Sequence, residues 1–247
     1  MIPWLPRAPL FPPVEQALPE PNGLLAAGGD LAPERIIAAY RRGIFPWFNE
    51  GDPILWWSPD PRMVLFPGEL RVSRSLAKTL RNKGYAVGFD SAFAEVVAAC
   101  ARTPRPGQNG TWITPRMQDA YNRMHRLGFA HSVETRIDGR LAGGLFGIAI
   151  GRVFYGESMF SLATDASKIA LVHLCRRLER RGFAMIDCQM ETRHLGTLGA
   201  RTIPRREFVA ALEAWTASGD PPGPWSAEPG NAACVVRGAT DAKGIRT

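Results

Sequence analysis

An acidic residue and an amide stand two positions apart in the string Ile186-Asp187-Cys188-Gln189. Phe183 to Cys188 is predicted to form a buried strand, and residues two apart on a strand share one face. A carboxylate and an amide at the end of an apolar strand are costly unless they serve a site or are hydrogen-bonded. Asp187 and Gln189 therefore either serve a site or form a structural hydrogen-bonded pair. Cys188 is expected on the opposite face, in the core.

A second carboxylate follows a predicted strand at Arg152 to Tyr155. Glu157 lies in the string Gly156-Glu157-Ser158-Met159-Phe160, where small and apolar groups follow it. A carboxylate in that setting suits an ammonium ligand. The alternative is an exposed glutamate in a turn.

Four tryptophans are candidate stacking platforms: Trp47, Trp56, Trp57 and Trp112. Stacking on an aromatic ring holds a nucleobase, typically by ~1–3 kcal/mol per base, without reading its sequence. The alternative for each of them is a place in the core. Trp112 differs from the others because it lies between a Gly/Pro-rich loop and a helix start, and binding residues concentrate in such loops.

Basic residues recur every three to four positions in one segment: Arg71, Arg74, Lys78, Arg81 and Lys83. If the segment is helical, they form a positive stripe that could contact phosphates. The alternative is an ordinary solvated helix face. The net charge of +7 and the pI of about 9.7 favour a polyanionic partner, nucleic acid first and an anionic membrane second.

The composition limits the class of protein. A chain of 247 residues, 45% hydrophobic, can bury a core in one large domain or in one large and one small domain. The uncharged stretch from Leu141 to Gly151 is far shorter than the ~20 residues of a membrane-spanning helix. The N-terminus is broken by prolines and lacks the apolar segment of a signal peptide. We therefore expect no membrane association and a cytoplasmic location.

The cysteines and histidines show no metal-ligand spacing. The cysteines lie far apart and form no CxxC pair: Cys100, Cys175, Cys188 and Cys234. They predict neither a disulfide framework nor a zinc site, so we expect reduced cysteines, no metal and no cofactor.

Helices and strands are predicted to alternate after an irregular N-terminus. Helices are predicted at 33–42, from 90 or 91 to 100, at 114–128, from 164 or 165 to 181, and from Pro204 onward. Residues 130–137 and 141–150 form a predicted hairpin around the turn Asp138-Gly139. A proline-punctuated aromatic loop ends near Arg62, where we place a domain boundary. From about residue 218 the chain turns to Gly, Pro and Ala and is expected to be poorly ordered.

Eight strings occur in the order known from one family, over roughly residues 10 to 215. They are Pro21-Asn22-Gly23-Leu24-Leu25, Gly28-Gly29-Asp30-Leu31, Arg42-Gly43-Ile44-Phe45-Pro46-Trp47-Phe48, Trp56-Trp57-Ser58-Pro59-Asp60-Pro61-Arg62, Gly110-Thr111-Trp112-Ile113-Thr114, Gly156-Glu157-Ser158-Met159-Phe160-Ser161, Ala166-Ser167-Lys168 and Asp187-Cys188-Gln189. Together they resemble the bacterial leucyl/phenylalanyl-tRNA–protein transferase family.

The resemblance implies a mixed α+β fold with a small N-terminal domain and a larger domain similar to the GCN5-related acetyltransferase fold. We place these domains at 1–62 and 63–217, followed by the tail at 218–247. The implied reaction moves Leu or Phe from aminoacyl-tRNA to the α-amino group of a protein that begins with Arg or Lys, which marks that protein for degradation by the N-end rule. The implied partners are aminoacyl-tRNA and acceptor proteins with a basic N-terminal residue, and the oligomeric state stays open.

The resemblance also implies roles for individual residues. Trp47 and Trp112 would hold the terminal adenosine of tRNA, Glu157 would contact a substrate ammonium, and Asp187 with Gln189 would be the catalytic pair. The wall of the pocket for the Leu or Phe side chain would consist of Leu145, Phe154, Leu171, Leu174, Leu178 and Ile186. Leu145 stands where some relatives are expected to have Met, a difference expected to change the shape of the pocket.

The acceptor amine has a pKa of ~7.7–8.0 and must lose a proton before it attacks the ester. The resemblance implies that Asp187 polarises Gln189, which helps to draw that proton away. Because a neutral amide is a very weak base, two alternatives stay open. Gln189 could orient the amine while Asp187 supplies a negative field, or positioning alone could do most of the work.

Specificity for Leu and Phe is expected from pocket volume, since a β-branched Ile or Val would fit badly and lose ~1–3 kcal/mol. A preference for basic N-termini needs a negative patch, for which Glu157 and Asp187 are the candidates.

Two other functions stay open at this point. A CoA-dependent N-acetyltransferase would need a Gly-rich loop at a helix N-terminus for the pyrophosphate. The string Arg193-His194-Leu195-Gly196-Thr197-Leu198 comes close, but Leu198 takes the last small position. A non-enzymatic tRNA-binding module would explain the basic stripe and the tryptophans, but it has no need for an apolar pocket.

Overall fold

The computed structural model describes residues 2–104, 111–219, 221–227 and 234–236. Gly110 of the predicted Trp112 motif lies outside the described residues, as do residues 228–233 and 237–247 of the predicted tail.

A four-stranded sheet forms the N-terminal part of the chain. Its strands are β1 (Trp4–Leu5), β2 (Leu24–Gly28), β3 (Phe45–Pro46) and β4 (Leu55–Trp57), in the order β1-β2-β4-β3. Helix α1 (Pro33–Tyr40) connects β2 to β3 and begins with a proline, as predicted. The helix ends two residues before the predicted end at Arg42.

An eight-stranded sheet and six helices form the rest of the described chain. The strands are β5 (Arg62–Leu65), β6 (Tyr85–Phe89), β7 (Ala130–Ile137), β8 (Arg140–Ile150), β9 (Val153–Ser161), β10 (Met185–Gln189), β11 (Arg201–Ile203) and β12 (Cys234–Val236). The helices are α2 (Arg74–Asn82), α3 (Phe93–Arg102), α4 (Pro115–Arg126), α5 (Ala166–Arg180), α6 (Arg193–Thr197) and α7 (Arg205–Thr216). The sheet order is β11-β5-β10-β9-β8-β7-β6-β12, and β9 and β10 pair in parallel. The predicted mixed α+β class is confirmed.

The predicted hairpin is confirmed. Strands β7 and β8 pair antiparallel, and Ile137 lies opposite Arg140 next to the turn. Asp138 and Gly139 have φ angles of 51° and 74°, the left-handed region that a two-residue hairpin turn requires.

The backbone N–H groups at a helix start can be bound by a neighbouring side chain or by one that is distant in the sequence, and α4 and α3 show the two cases. Thr114 caps α4 as predicted, since its side chain accepts a hydrogen bond from the backbone N–H of Met117 at 3.3 Å. The predicted cap of α3 at Asp90 or Ser91 is wrong, because α3 begins at Phe93 and has no local side-chain cap. Instead, the carboxylate of Glu134 on β7 accepts a hydrogen bond from the backbone N–H of Ser91 at 3.3 Å.

One continuous hydrophobic core joins the two sheets. It includes Leu25 and Trp56 of the small sheet and Val64, Phe146 and Tyr155 of the large one, all with at most 1% of their surface exposed. Trp56 is therefore a core residue rather than a stacking platform. The division at residue 62 stays a prediction, because the two parts are packed as one body around this core.

The described part of the C-terminal segment contains one deeply buried side chain, while the expectation of poor order over 218–247 stays a prediction. Trp225 lies in a short 3₁₀ turn at Trp225–Ala227 and is only 2% exposed. Further along, β12 pairs antiparallel with β6 at the edge of the large sheet. A segment rich in Gly and Pro can thus be ordered by one large aromatic anchor, which the lack of periodicity does not reveal.

Within the described residues, no helix combines the length and the apolar character needed to cross a lipid bilayer.

Candidate active site

A cavity of about 600 Å³ opens where strands β9 and β10 separate. Their parallel pairing ends at Tyr155 opposite Asp187, whereas β9 continues to Ser161. Nine of the candidate site residues line this cavity: Trp47, Trp112, Leu145, Phe154, Glu157, Leu171, Leu174, Ile186 and Gln189. Leu178 and Asp187 do not line it.

Glu157 lies at a β-bulge within β9 rather than at a strand end, which corrects the predicted strand limit. Gly156 and Ser158 pair with the consecutive residues Gly147 and Phe146 of β8, so Glu157 is an extra residue with no partner on β8. A bulge changes the direction in which its side chain points. Here it brings a carboxylate into the wall of an otherwise largely apolar cavity.

Glu157 is 8% exposed, and its carboxylate is held by two phenols. Tyr40 donates a hydrogen bond to Oε1 and Tyr121 donates one to Oε2, each at 2.6 Å. Burial raises the pKa of Glu157 to about 7, although the two phenol hydrogen bonds oppose the rise. A carboxyl group with this pKa exchanges its proton near neutral pH, which is the property expected of a general base or acid.

A second bulge lies on β10, next to the first. Asp187 and Gln189 pair with the consecutive residues Val64 and Met63 of β5, so Cys188 is the extra residue. Gln189 has a φ of 63°. The bulge places both Cys188 and Gln189 at the cavity wall. The predictions that Asp187 and Gln189 share a face and that Cys188 faces away are therefore wrong.

The Cys188 thiol is poorly suited to act as a nucleophile. Burial raises the pKa of this thiol far above its usual range, and the nearby Asp187 raises it further. A thiol in such surroundings stays protonated and unreactive.

Asp187 is fully buried and forms an ion pair with Arg62, which is also fully buried. The guanidinium donates to both carboxylate oxygens, from Nε to Oδ1 at 2.8 Å and from Nη2 to Oδ2 at 2.7 Å. It also lies over the rings of Phe45 and Phe208, at 4.8 and 4.6 Å from their centroids. This two-pronged geometry is the strong form of an Arg–carboxylate pair.

Gln189 connects this ion pair to Glu157. Its backbone N–H donates to Oδ1 of Asp187 at 2.9 Å, and its side-chain Nε2 donates to Oε2 of Glu157 at 3.5 Å. One continuous network therefore runs from Arg62 through Asp187 and Gln189 to Glu157. Only the last two side chains of this network reach the cavity.

The apolar wall contains five of the six residues named for it. Leu145 comes from β8, Phe154 from β9 and Ile186 from β10, while Leu171 and Leu174 come from α5. Leu178 lies one turn further along α5, fully buried in the core cluster behind the wall. Leu178 lies on the same face of α5 as Leu171 and Leu174, as the helical period predicts. The cavity ends before this face of the helix does, so Leu178 does not line it.

Trp47 and Trp112 lie at the cavity and are only half-buried. The indole of Trp57 donates a hydrogen bond to the backbone oxygen of Trp47 at 2.7 Å, and the two rings meet edge to face with centroids 5.5 Å apart. Trp57 thus supports Trp47 from behind. Of the four tryptophans, these two are the ones that line the cavity.

Two family models match the sequence. The leucyl/phenylalanyl-tRNA protein transferase model matches residues 64–213, and the model of that family's N-terminal domain matches residues 29–60. The chain belongs to the leucyl/phenylalanyl-tRNA–protein transferase family.

Relatives that carry the family name are similar over nearly their whole length. A leucyl/phenylalanyl-tRNA–protein transferase of Azoarcus sp. (strain BH72) is 63% identical over 226 residues, which are 92% of this chain and 96% of the relative. One of Nitrosomonas europaea is 67% identical over 202 residues, which are 82% of this chain and 85% of the relative.

Among solved structures, a GCN5-related N-acetyltransferase from Kribbella flavida is similar at 14% identity, over 69% of this chain and 60% of that one. The TM-score is 0.36, which is too low to argue from, and the mixed α/β class rests on the two sheets themselves.

Three residues of this transferase site escaped the sequence analysis. Tyr40 and Tyr121 lie within the predicted helices 33–42 and 114–128 but were not named as site residues, and Arg62 was named only as the end of a motif. A tyrosine in a buried stripe needs a partner for its hydroxyl, and an arginine at the start of a buried strand needs an anion. Those two needs are the signals that could have connected these residues to Glu157 and Asp187.

The site offers little for the other chemistries considered. Across the described ranges, no group of three or more His, Cys, Asp and Glu side chains could hold a metal ion. The string proposed for a CoA pyrophosphate, Arg193 to Leu198, forms the five-residue helix α6 rather than a loop before a helix.

Proposed function

We propose that the chain transfers Leu or Phe from aminoacyl-tRNA to the α-amino group of proteins that begin with Arg or Lys, and thereby marks them for degradation by the N-end rule. The observation that carries this proposal is the meeting of three kinds of surface in one cavity. Half-buried tryptophans, an apolar wall and a carboxylate with a pKa near neutrality all line it.

Each surface suits one part of the substrates. Trp47 and Trp112 would stack on the terminal adenosine of the tRNA. The apolar wall around Leu171 and Phe154 would hold the transferred side chain, whose size it limits. Glu157 and Gln189 would meet the acceptor amine, since they are the polar side chains of the buried network that reach the cavity.

The aminoacyl ester is already activated, so the site needs to deliver a neutral amine. The acceptor ammonium would give a proton to the Glu157 carboxylate, and the freed amine would attack the ester carbonyl. The C–N bond forms, the bond from the carbonyl carbon to the tRNA 3′ oxygen breaks, and that oxygen leaves as a hydroxyl with a proton from the attacking nitrogen. Gln189 would orient the amine. Asp187 would not act as the base, because Arg62 already occupies both of its carboxylate oxygens. Its role would be to hold the backbone of Gln189 in place.

This assignment also bears on the preference for basic N-termini. Asp187 is neutralised by Arg62, so of the two carboxylates considered, Glu157 would be the one that contributes negative charge to the cavity.

Other parts of the chain suit the tRNA body. Helix α2 carries three exposed basic residues at helical spacing, Arg74, Lys78 and Arg81. We propose that they contact tRNA phosphates, which agrees with the net charge of +7. Since aminoacyl-tRNA is made and used in the cytoplasm, the proposed site of action is cytoplasmic.

Transfer of labelled Leu from Leu-tRNA to a peptide that begins with Arg tests the reaction directly. We expect labelled product with this peptide and little with an otherwise identical peptide that begins with Ala. Equal transfer to both peptides would contradict the role of a negative patch. Binding of tRNA without any transfer would instead support a non-enzymatic binding module.

Trp112→Ala should raise the KM for aminoacyl-tRNA by roughly 5- to 150-fold, the equivalent of ~1–3 kcal/mol of lost base stacking. The kcat should change much less, because the reacting groups are untouched. Steady-state kinetics at varied aminoacyl-tRNA concentration measures both. Trp4→Ala is the matched control, since Trp4 is 70% exposed and does not line the cavity. An equal rise in KM there would argue against stacking.

A further inference from the structure

Trp225 fills the space directly behind the apolar wall of the cavity. Its ring lies 5.8 Å from that of Phe154, tilted by 31°, and Phe154 is itself a wall residue that is only 1% exposed. Trp225 does not line the main cavity. It therefore forms a second layer behind Phe154, with which its ring is in contact.

Several groups fix the position of Trp225. Its ring stacks on His131 with centroids 4.0 Å apart and planes within 4°. Its backbone N–H donates to Oδ2 of Asp90 at 2.8 Å, and its backbone oxygen accepts from Nη2 of Arg177 at 3.1 Å. The guanidinium of Arg177 also lies over the ring, 5.1 Å from the centroid. Polar anchors and a cation thus hold a ring from the C-terminal segment in place.

A second cavity of about 320 Å³ lies on the far side of this ring. Trp225, His131 and Phe183 line it, whereas Phe154 does not. The two rings of the tilted pair Phe154–Trp225 thus face different cavities, Phe154 the main cavity and Trp225 the second one. Removal of the Trp225 ring would give Phe154 space to retreat and would deepen the main cavity at its apolar end.

We propose that Trp225 is a positioning residue which holds Phe154 and so limits the size of the aminoacyl side chain that the cavity accepts. This inference rests on the proposed transferase function. It assigns a role in substrate choice to the C-terminal segment, whose described residues do not line the main cavity.

The test compares two aminoacyl-tRNAs, one carrying Leu and one carrying the larger naphthylalanine, with the same acceptor peptide. We expect Trp225→Ala to raise the ratio of kcat/KM for naphthylalanine over Leu by about tenfold or more, since even one methylene in an apolar pocket changes such ratios by ~10–200-fold. Trp225→Phe keeps a ring against Phe154 and should raise the ratio much less.

The ratio separates positioning from mere stabilisation of the fold. A structural role would lower both rates by the same factor and leave the ratio unchanged, and that result in a folded Trp225→Ala protein would overturn the inference. If Trp225→Ala fails to fold, Trp225→Leu and Trp225→Phe decide the question by the same ratio.

Trp215→Ala is the matched control. Trp215 is a half-buried tryptophan of α7 that packs against the core cluster of Phe208 and Leu212, whereas Phe154 and Trp225 belong to a different cluster. It should leave the ratio as in the wild type, and a shift as large as that of Trp225→Ala would overturn the inference. Transfer of Leu by the wild-type protein is measured first, because its absence would mean that the proposed function, rather than the role of Trp225, has failed.

Discussion

Arg62→Ala is expected to lower the free energy of unfolding by ~3–5 kcal/mol, because it leaves the Asp187 carboxylate buried without its cation. Neither side chain of the pair is more than 1% exposed, so water cannot replace the lost guanidinium. Urea unfolding measures the loss. The variant also loses the hydrogen bond from Arg62 Nη1 to the backbone oxygen of Gly43, 3.1 Å long, and the packing on two phenylalanine rings.

A double-mutant cycle isolates the ion pair from these other losses. Arg62→Ala and Asp187→Asn should be strongly non-additive, since the second change removes the charge that the first leaves uncompensated. The matched cycle uses Arg35 and Asp30, because Arg35 is as deeply buried as Arg62 whereas the side chain of Asp30 is 54% exposed. There we expect a coupling of only ~0–1 kcal/mol. Equal couplings in the two cycles would show that burial of the carboxylate has no special cost here.

Glu157→Gln is expected to reduce turnover by roughly 10²- to 10⁴-fold, the usual contribution of a general base. It should also change the pH dependence. Because the pKa of Glu157 is raised to about 7, the wild-type rate should rise with pH through that value as the carboxylate forms. This rise should be absent in Glu157→Gln, which leaves only the ionisation of the acceptor amine at pKa ~7.7–8.0.

Two kinds of control identify the ionising group. Tyr121→Phe and Tyr40→Phe each remove one phenol that donates to the carboxylate and lowers the pKa of Glu157, so each should move the rise to higher pH. Acceptor peptides whose α-amines differ in pKa should move the other ionisation and leave this one in place. A Glu157→Gln protein that keeps the full rate and the wild-type profile would exclude Glu157 as the base.

The same ionisation affects stability, with a definite sign. Burial raises the pKa of Glu157 from 4.5 to about 7, so between these values the folded protein keeps a proton that the unfolded chain releases. The contribution of Glu157 to stability is therefore complete below pH 4.5 and is lost as the pH rises through about 7.

Features encoded by neighbouring residues were predictable from the sequence. The hairpin follows from Asp138-Gly139 between two apolar stretches, and the start of α4 follows from Thr114 and the proline after it. The lining residues Trp47, Trp112 and Glu157 were named from their motifs, and the structure brings them to one cavity.

Features that depend on two strands at once were not predictable in this way. The faces of Asp187, Cys188 and Gln189 were assigned from simple alternation, but the bulge arises from pairing with β5. Likewise, Arg62 and Asp187 are 125 positions apart in the sequence. No pattern within either strand shows that their side chains form an ion pair.

The burial of Trp225 is a third kind of feature that the sequence did not indicate. Its segment has the composition of a loose tail, and composition describes an average over many residues. It does not show that one residue of the segment is firmly held. The indole of Trp225 stacks on His131, and its backbone N–H donates to Asp90. Such an anchor becomes visible only when the groups around it are known.

The hydrogen bond from Tyr40 to Glu157 joins residues 117 positions apart, one matched by the model of the family's N-terminal domain and the other by the main model. Tyr155 strengthens the link, since its hydroxyl donates to the backbone oxygen of Tyr40 at 2.9 Å. Recombination that exchanged residues 29–60 between distant relatives would therefore replace a ligand of the reactive carboxylate along with the scaffold. The two segments therefore build one site together, although the two family models match them as separate stretches of sequence.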